Sequence, residues 1–329
     1  MRLTRLIGAF LLAALLVAGW AAFRLLTPYR SFQGETFVDL PHGTGAGGIA
    51  DRLARAGALR NRWDFLLARV VERGRVLQAG EYRFQEPASA LEVFDRIARG
   101  DVFYYTLVVP EGRNMFDIAS DAASFGLFDR HQFLAAARDP APVRDLDPQA
   151  RTLEGYLFPG SYRLDRHTTP RMLCQKMTAR FRAAWSGLGA PAGPHRTVTL
   201  ASMVEKEAKL PEERPRIASV FENRLRLGMK LDCDPTTIYA ALLEARYRGA
   251  IYRSDLENSN PYNTYQHAGL PPGPIANPGL ASIQAVLHPE ASQALYFVLR
   301  PDGSGAHQFS ENLAQQSAAI ARYRRARSR

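Results

Sequence analysis

The sequence predicts an α+β fold that follows a single N-terminal membrane-spanning helix. Three observations support this: an uncharged apolar run near the start, two similar strand–turn–helix segments in the N-terminal half, and a C-terminal half that mixes helical patterns with short strands. The chain has 329 residues, of which 46% are hydrophobic and 22% charged. Because this is enough apolar material for a large core, the composition excludes a disordered or fibrous protein.

The formal net charge of +10 favours an anionic partner such as phospholipid, nucleic acid or cell-wall polymer. An arginine-biased codon usage would explain the same charge. The two cysteines, Cys174 and Cys233, are too few for a disulfide scaffold and form no CxxC pair. The histidines form neither an HExxH motif nor a paired zinc spacing, so we expect no metal and no cofactor.

The N-terminal apolar run covers residues 6–23 without a charge, close to the roughly 20 residues that a spanning helix needs. Arg2 and Arg5 precede it and favour a cytoplasmic N-terminus with the body of the chain outside. A cleaved signal peptide is the alternative, but the run is long for one and no clean Ala-x-Ala site follows it. We therefore expect residues 1–30 to form a cytoplasmic tip and an anchor, which argues against nucleic acid as the partner.

An internal duplication organises the N-terminal half. Residues 37–57 and 106–126 each show a short strand, a Pro-x-Gly turn and an amphipathic helix that ends at a glycine. The matched positions are Pro41 with Pro110, Gly43 with Gly112, Ile49 with Ile118, Ala50 with Ala119 and Gly57 with Gly126. A second helix is expected after each copy, near residues 63–71 and 131–137, and strands are expected in residues 77–84 and 102–109.

Gly43, Gly45 and Gly48 also satisfy the G-x-G-x-x-G pattern of dinucleotide-binding proteins. That fingerprint requires a βαβ unit, in which a strand follows the helix. Here a second helix follows, and the sister copy carries Asn114 and Asp117 where the later glycines would lie. We therefore interpret the pattern as a turn and not as a nucleotide site.

The candidate catalytic residue is Glu207. A helix from about residue 199 to residue 208 places Leu200, Met203 and Val204 on one apolar stripe. At about 100° per residue, Glu207 lies roughly 20° from Leu200, whereas Glu205 lies roughly 140° away on the polar side. A carboxyl on an apolar face loses hydration, which raises its pKa and suits a general acid. The alternative is a partly exposed glutamate that pairs with an arginine such as Arg214 or Arg216.

The next helix is expected to begin near Pro215 and to end at Gly228. Asp234, followed by proline, is expected to be an N-cap and not a catalytic acid. The end of the chain predicts a strand, a glycine-rich hairpin, a short strand near residues 307–309 and a basic terminal helix.

A long irregular segment, residues 258–279, is rich in Pro, Gly and Asn. Its Tyr262, Asn263 and Tyr265 favour a ligand-facing loop, because tyrosine rings pack on sugar faces and amides bond to hydroxyl and acetamido groups. The alternative is a flexible linker. Upstream, Glu154 lies among aromatic residues and is a weaker candidate for the same groove, its alternative being a buried structural glutamate.

Several long motifs resemble the endolytic murein transglycosylase family of YceG-like proteins. They are EGYLFPGSY, TLASMVEKEA, ASVFENRLRLGMKLDCDPTTIYA, NPYNTYQHAGLPPGPIANPG and YFVLRPDGSGAHQFSENLAQ. The resemblance runs from the anchor almost to the last residue. It implies a LysM-like module in residues 35–107 and an α+β catalytic domain in residues 108–325. It also implies that Glu207, the second acid of the E-K-E motif, is catalytic. One departure is Cys233, where family members tend to carry other residues.

The resemblance implies a single-pass inner-membrane enzyme with a periplasmic body. It would cleave the MurNAc–GlcNAc bond of nascent peptidoglycan strands without water, leave 1,6-anhydroMurNAc ends and thereby terminate glycan elongation. Peptidoglycan synthases are candidate partners. A muramidase that uses water remains an alternative, which would need a second acid near Glu207. The second alternative is a non-catalytic cell-wall-binding scaffold of the synthesis machinery.

Overall fold

The computed structural model describes residues 2–189 and 193–327 of the chain. Within these ranges helices and strands are mixed, and the strands form three sheets of two strands each. The chain divides into two compact units, Met1–Tyr105 and Thr106–Arg329. The predicted α+β class is confirmed in this sense. Residues 190–192, inside the predicted catalytic domain, lie outside the described residues, as do the side chains of Arg2 and Arg5 on which the predicted orientation depends.

The first unit begins with a long apolar helix and continues into a small sheet covered by helices. Its elements are α1 Arg2–Leu26, β1 Thr36–Leu40, α2 Ala46–Arg55, α3 Arg62–Val71, β2 Gly80–Phe84 and α4 Ala90–Arg99. Within the described residues, one helical stretch, Leu6–Leu26, is long and apolar enough to cross a membrane. Strands β1 and β2 are antiparallel, with Thr36 opposite Phe84 and Leu40 opposite Gly80. This pairing is incompatible with a dinucleotide-binding βαβ unit, in which the strands are parallel.

The core of the first unit is apolar and continuous with α1. Leu25, the penultimate residue of α1, is only 6% exposed and belongs to the same cluster as Leu40, Phe65 and Phe94. Helix α4, which the sequence patterns did not single out, begins with a capping box between Ser89 and Glu92. The buried face of α4 completes this core.

The second unit, whose first strand begins at the boundary residue Tyr105, repeats the order of the first and then adds helices and a hairpin. Its elements are β3 Tyr105–Val109, α5 Met115–Ala123, α6 Arg130–Ala137, β4 Gly160–Leu164, α7 Pro170–Gly187, α8 His195–Glu207, α9 Arg214–Arg226, α10 Asp234–Leu243, α11 Arg253–Leu256, α12 Leu280–Leu287, β5 Tyr296–Leu299, β6 His307–Ser310 and α13 Leu313–Arg327. Short 3-10 turns occupy Ala141–Val143 and Pro211–Glu213. Strand β3 pairs with β4, and β5 pairs with β6 in an antiparallel hairpin.

The internal duplication is confirmed and extends further than the sequence comparison indicated. Both copies have the order strand, two helices, strand, helix. Gly80 and Gly160, which begin the second strands, have φ of 144° and 143°. Two residues later, Tyr82 and Tyr162 each donate a hydroxyl hydrogen bond to the carbonyl four residues before them. These shared details indicate that the two segments are copies of one motif.

Candidate active site

Glu207 is the last residue of α8, and its side chain is partly buried. Burial raises the pKa of this carboxyl to about 7, because the ionised form loses hydration. A hydrogen bond from Cys233 opposes the shift, and the negative charge of Asp234 adds to it. A carboxyl with this pKa is partly protonated at neutral pH, so it can donate a proton and then accept one.

Cys233 joins the end of α8 to the segment before α10. Its thiol donates to Oε1 of Glu207 over 3.3 Å, and its backbone N–H donates to Oγ1 of Thr264 over 3.0 Å. The preceding Asp232 has a φ of 47°, a left-handed conformation that turns the chain toward this contact. Cys233 therefore contacts both Glu207 and the long loop of residues 258–279.

Tyr265 lies next to this cluster. Its hydroxyl donates to Oδ1 of Asp234 over 2.7 Å, and its carbonyl accepts from Nζ of Lys230 over 2.8 Å. Asp234 is exposed, and Tyr265 is only partly buried. The predicted N-cap role of Asp234 is wrong, because the helix begins at Asp234 itself and Cys233 occupies the cap position. The carboxylate of Asp234 instead faces Tyr265, beside Glu207.

Asn263 is fully buried and therefore not in a position to contact a sugar. Its amide nitrogen donates to the carbonyls of Asp255, Leu256 and Asn258. Its amide oxygen accepts from Oγ1 of Thr237. The residue folds the irregular loop onto α10 and α11, which explains why this segment is ordered although it lacks regular structure.

Tyr262 is partly buried against Tyr239, with ring centroids 5.1 Å apart. Burial raises the pKa of its hydroxyl to about 12. A Cβ added at Gly273 would lie 3.3 Å from this hydroxyl, so Tyr262 packs across its own loop. Of the three loop residues singled out from the sequence, Tyr265 is the one placed in the Glu207 cluster.

Glu154 is only 1% exposed and has a structural environment. Its carboxylate accepts from the N–H of Met115, which begins α5, and from the amide of Asn277 over 2.8 Å. Burial raises its pKa to about 8. The sequence placed Glu154 at a groove. In the structure it lies in the core, because it satisfies the start of a buried helix, which is the alternative left open above.

The expectation that Glu205 lies on the polar side of its helix, and that only Glu207 turns inward, is wrong. Its side chain is 7% exposed, and it accepts hydrogen bonds from the N–H of Gly279 and the hydroxyl of Ser282 at the start of α12. It also pairs with Arg214 at 3.3 Å. The helical-wheel argument assumed one apolar face, but residues 197–204 of α8 are all buried because α9, α10 and α12 surround the helix.

The sequence analysis missed two members of the site, Cys233 and Thr264. The sequence analysis noted Cys233 only in the cysteine count and as a departure from the family, and nothing in the spacing of the sequence indicated its contact with a residue 26 positions earlier. Among the residues that the structure describes, no group of three His, Cys, Asp or Glu side chains could hold a metal ion.

Comparisons with known proteins identify the family of this chain. The model of the YceG-like family matches residues 38–322, which is most of the chain. The chain belongs to the YceG-like family. One relative, an endolytic murein transglycosylase of Bacillus subtilis, is 28% identical over 321 residues, covering 91% of this chain and 88% of the relative.

A second relative, the endolytic murein transglycosylase of Streptococcus pneumoniae serotype 2, is 29% identical over 295 residues. The match covers 79% of this chain but only 53% of that protein, so the chain spans about half the length of this relative. The crystal structure of a YceG-like protein from Listeria monocytogenes has a TM-score of 0.55 with this chain and 29% identity. It covers 87% of this chain and 99% of the solved chain.

Proposed function

We propose that this protein is a membrane-anchored endolytic lytic transglycosylase of peptidoglycan. The observation that carries the proposal is Glu207, a partly buried carboxyl with a pKa near 7 beside an ordered, tyrosine-bearing loop. The family membership and the names of the relatives support the reaction class.

In the proposed reaction, protonated Glu207 donates its proton to the glycosidic oxygen between MurNAc and GlcNAc as the C1–O bond breaks. Positive charge then develops at C1 of MurNAc, and the C6 hydroxyl of the same sugar attacks it. The Glu207 carboxylate takes the proton from that hydroxyl, so the enzyme returns to its starting state. The products are a 1,6-anhydroMurNAc end and a free GlcNAc end. A single acid/base group suffices because the substrate supplies the nucleophile, whereas hydrolytic glycosidases use two carboxylates.

Tyr265 and Tyr262 are the proposed sugar-binding residues, since both side chains are partly exposed and can pack on sugar rings. Asn263 and Glu154 were proposed for the same role from the sequence. Their burial favours an indirect contribution, in which Asn263 shapes the loop and Glu154 holds the start of α5.

We further propose the domain organisation that the sequence suggested: an anchor in residues 1–30, a LysM-like module in residues 35–107 and the catalytic domain in residues 108–325. The strand–helix–helix–strand order of the first unit supports the module assignment. Anchoring by an uncleaved α1 is supported by Leu25 in the core of that unit and by Arg24, which pairs with the buried Asp64. The proposed location is the inner membrane with a periplasmic body, where the enzyme would end nascent strands beside peptidoglycan synthases.

A hydrolytic muramidase is a second candidate, favoured by one observation. The charge of Asp234 is close enough to raise the pKa of Glu207, so a second carboxylate is present that could position water. The non-catalytic scaffold is the other alternative, and it assigns no function to a carboxyl whose pKa is near 7.

The experiment is digestion of purified murein sacculi by the full-length protein and by its Glu207→Gln variant, with mass analysis of the glycan ends. We expect anhydro ends from the wild type and a loss of activity of about 10²–10⁴-fold in the variant. Glu205→Gln, which changes the other acid of the E-K-E motif two residues before Glu207, is the matched control and should retain the product type. Reducing ends from the wild type would favour the muramidase, and equal activity of Glu207→Gln would favour the scaffold.

A further inference from the structure

Helix α3 carries two apolar faces. The first, made by Phe65 and Ala68, is buried in the core of the first unit. The second consists of residues spaced at i, i+3, i+4 and i+7: Trp63, Leu66, Leu67 and Val70. Trp63 is 68% exposed and Val70 54% exposed. Leu66 and Leu67 are partly buried and also pack against that core. Single exposed apolar side chains are ordinary, but a helical stripe whose two ends remain exposed beside an apolar cleft indicates a surface that is covered by something.

This second face forms one wall of an open apolar cleft of about 520 Å³. The opposite wall is the last part of α1, which contributes Trp20 and Arg24. The acidic side chain that lines the cleft, Asp64, is paired with Arg24 through a 2.8 Å hydrogen bond. The cleft therefore presents apolar surface with its lining carboxylate already neutralised.

The position of α1 determines where this cleft lies relative to the bilayer. Residues 6–23 span about 27 Å as a helix, close to the hydrocarbon thickness of a bilayer. Leu25 is already part of the core of the first unit, so no linker separates the span from the folded body. Side chains that share a cleft with Trp20 must then lie at the depth of the membrane–water interface, where tryptophan is preferred.

Basic side chains surround the same region. Arg60 packs over Phe23 at the end of the apolar run, 5.9 Å from its ring centroid, and Arg62 packs over Trp63 at 5.6 Å. Arg73 is exposed just beyond α3. Guanidinium groups at this level are complementary to anionic lipid headgroups.

We propose that the outer face of α3 is a lipid-binding surface that lies in the membrane interface next to α1. The occupant is the headgroup and upper acyl region of the bilayer, which covers the apolar stripe and adds a second contact between the first unit and the membrane beside α1. The proposal rests on the membrane anchoring proposed above, which the experiment tests separately.

The experiment uses the full-length protein in vesicles that contain anionic lipid, with lipids brominated either near the headgroup end or near the terminal methyl of the acyl chain. The chain has three tryptophans, Trp20, Trp63 and Trp185, and the last is buried in the second unit. Trp185 can therefore stay in place as an internal reference. Three variants are compared: Trp20→Phe, Trp63→Phe and the double variant.

We expect the Trp20→Phe protein, which retains Trp63, to be quenched at least twofold more by bromine near the headgroup than by bromine near the methyl end. The double variant should not respond to either lipid. Quenching of Trp20 in the Trp63→Phe protein, without quenching of Trp63, would overturn the lipid-binding surface and leave the anchor intact. No quenching of either tryptophan would contradict the anchor itself. Quenching of Trp63 that falls as the protein-to-lipid ratio rises would identify a second copy as the occupant and overturn the proposal.

Discussion

The two copies of the duplicated motif place the turn that follows their first strand in different surroundings. Gly43 and Gly112 have nearly the same backbone, with φ of 82° and 76°. Gly43 is exposed, and a Cβ there would meet nothing within 4 Å. Gly112 is buried, its N–H donates to the carbonyl of Asn277, and a Cβ there would lie 3.4 Å from Cγ of Glu205. The same backbone turn is thus exposed to solvent in the first copy and is packed against α8 and the segment before α12 in the second.

The helices that follow these turns differ in the same way. Helix α2 begins at an exposed Gly45 and receives no side-chain cap. Helix α5 begins with a capping box between Asn114 and Asp117, and Glu154 adds a bond to the N–H of Met115. Glu154 comes from residues 138–159, a connection that is much longer than the corresponding residues 72–79 of the first copy. The contacts between the second copy and the rest of its unit thus come from segments that the first copy lacks, such as those that carry Glu154 and Asn277.

The largest effect on stability is expected at Glu154. Glu154→Ala leaves the N–H of Met115 and the amide of Asn277 without their partner in a buried environment, which should cost about 3 kcal/mol of unfolding free energy. Glu154→Gln should cost less, because it keeps the side-chain shape and an acceptor oxygen. Denaturant unfolding at neutral pH measures both variants, and equal losses would show that these hydrogen bonds do not determine the stability of the second copy.

The pH dependence of the same variants sharpens this prediction. The folded-state pKa of Glu154 is raised to about 8, so the folded state binds its proton more tightly than the unfolded state. Its contribution to stability is therefore present at low pH and is lost as the pH rises from about 4.5 through about 8. The wild type should lose stability over this window more steeply than Glu154→Gln, and parallel curves would contradict the burial of an ionisable carboxyl.

An intermediate effect is expected from a matched pair at the turn glycines. Gly43→Ala and Gly112→Ala each force a left-handed residue to carry a Cβ, which should cost about 1–2 kcal/mol. Only Gly112→Ala should also lower kcat/KM on glycan strands, because a shift of this strained turn disturbs its hydrogen bonds to Asn277 and to Lys206, which precedes Glu207 in α8. Equal kcat/KM for the two variants would contradict the different roles assigned to the two turns.

The smallest effect is expected at Cys233. Its thiol stabilises the ionised form of Glu207, so Cys233→Ala should raise the pKa of that carboxyl. Because a thiol is a weak donor, we expect the alkaline limb of the pH–activity profile to move upward by about half a unit. Cys233→Ser retains a donor and is the matched control. A downward shift in Cys233→Ala would show that the thiol does not act on Glu207.

Local patterns predicted much of the fold and less of the site. The strand, turn and helix of each copy follow from residue spacing, because these elements depend on nearby residues. The neighbours of Glu207 could not be obtained in this way, since Cys233 reaches it by a left-handed turn at Asp232. The burial of Asn263 also depends on three backbone carbonyls of its own loop, which periodicity does not reveal.

The most direct test of the account is the titration of the Glu207 carboxyl in the intact protein. Infrared difference spectra between the wild type and Glu207→Gln isolate its C=O and carboxylate bands as the pH is varied. We expect a midpoint near 7, coincident with the decline of transglycosylase activity at rising pH, because the donor must be protonated. A midpoint near 4.5, the ordinary value for glutamate, would contradict the assignment of Glu207 as the general acid.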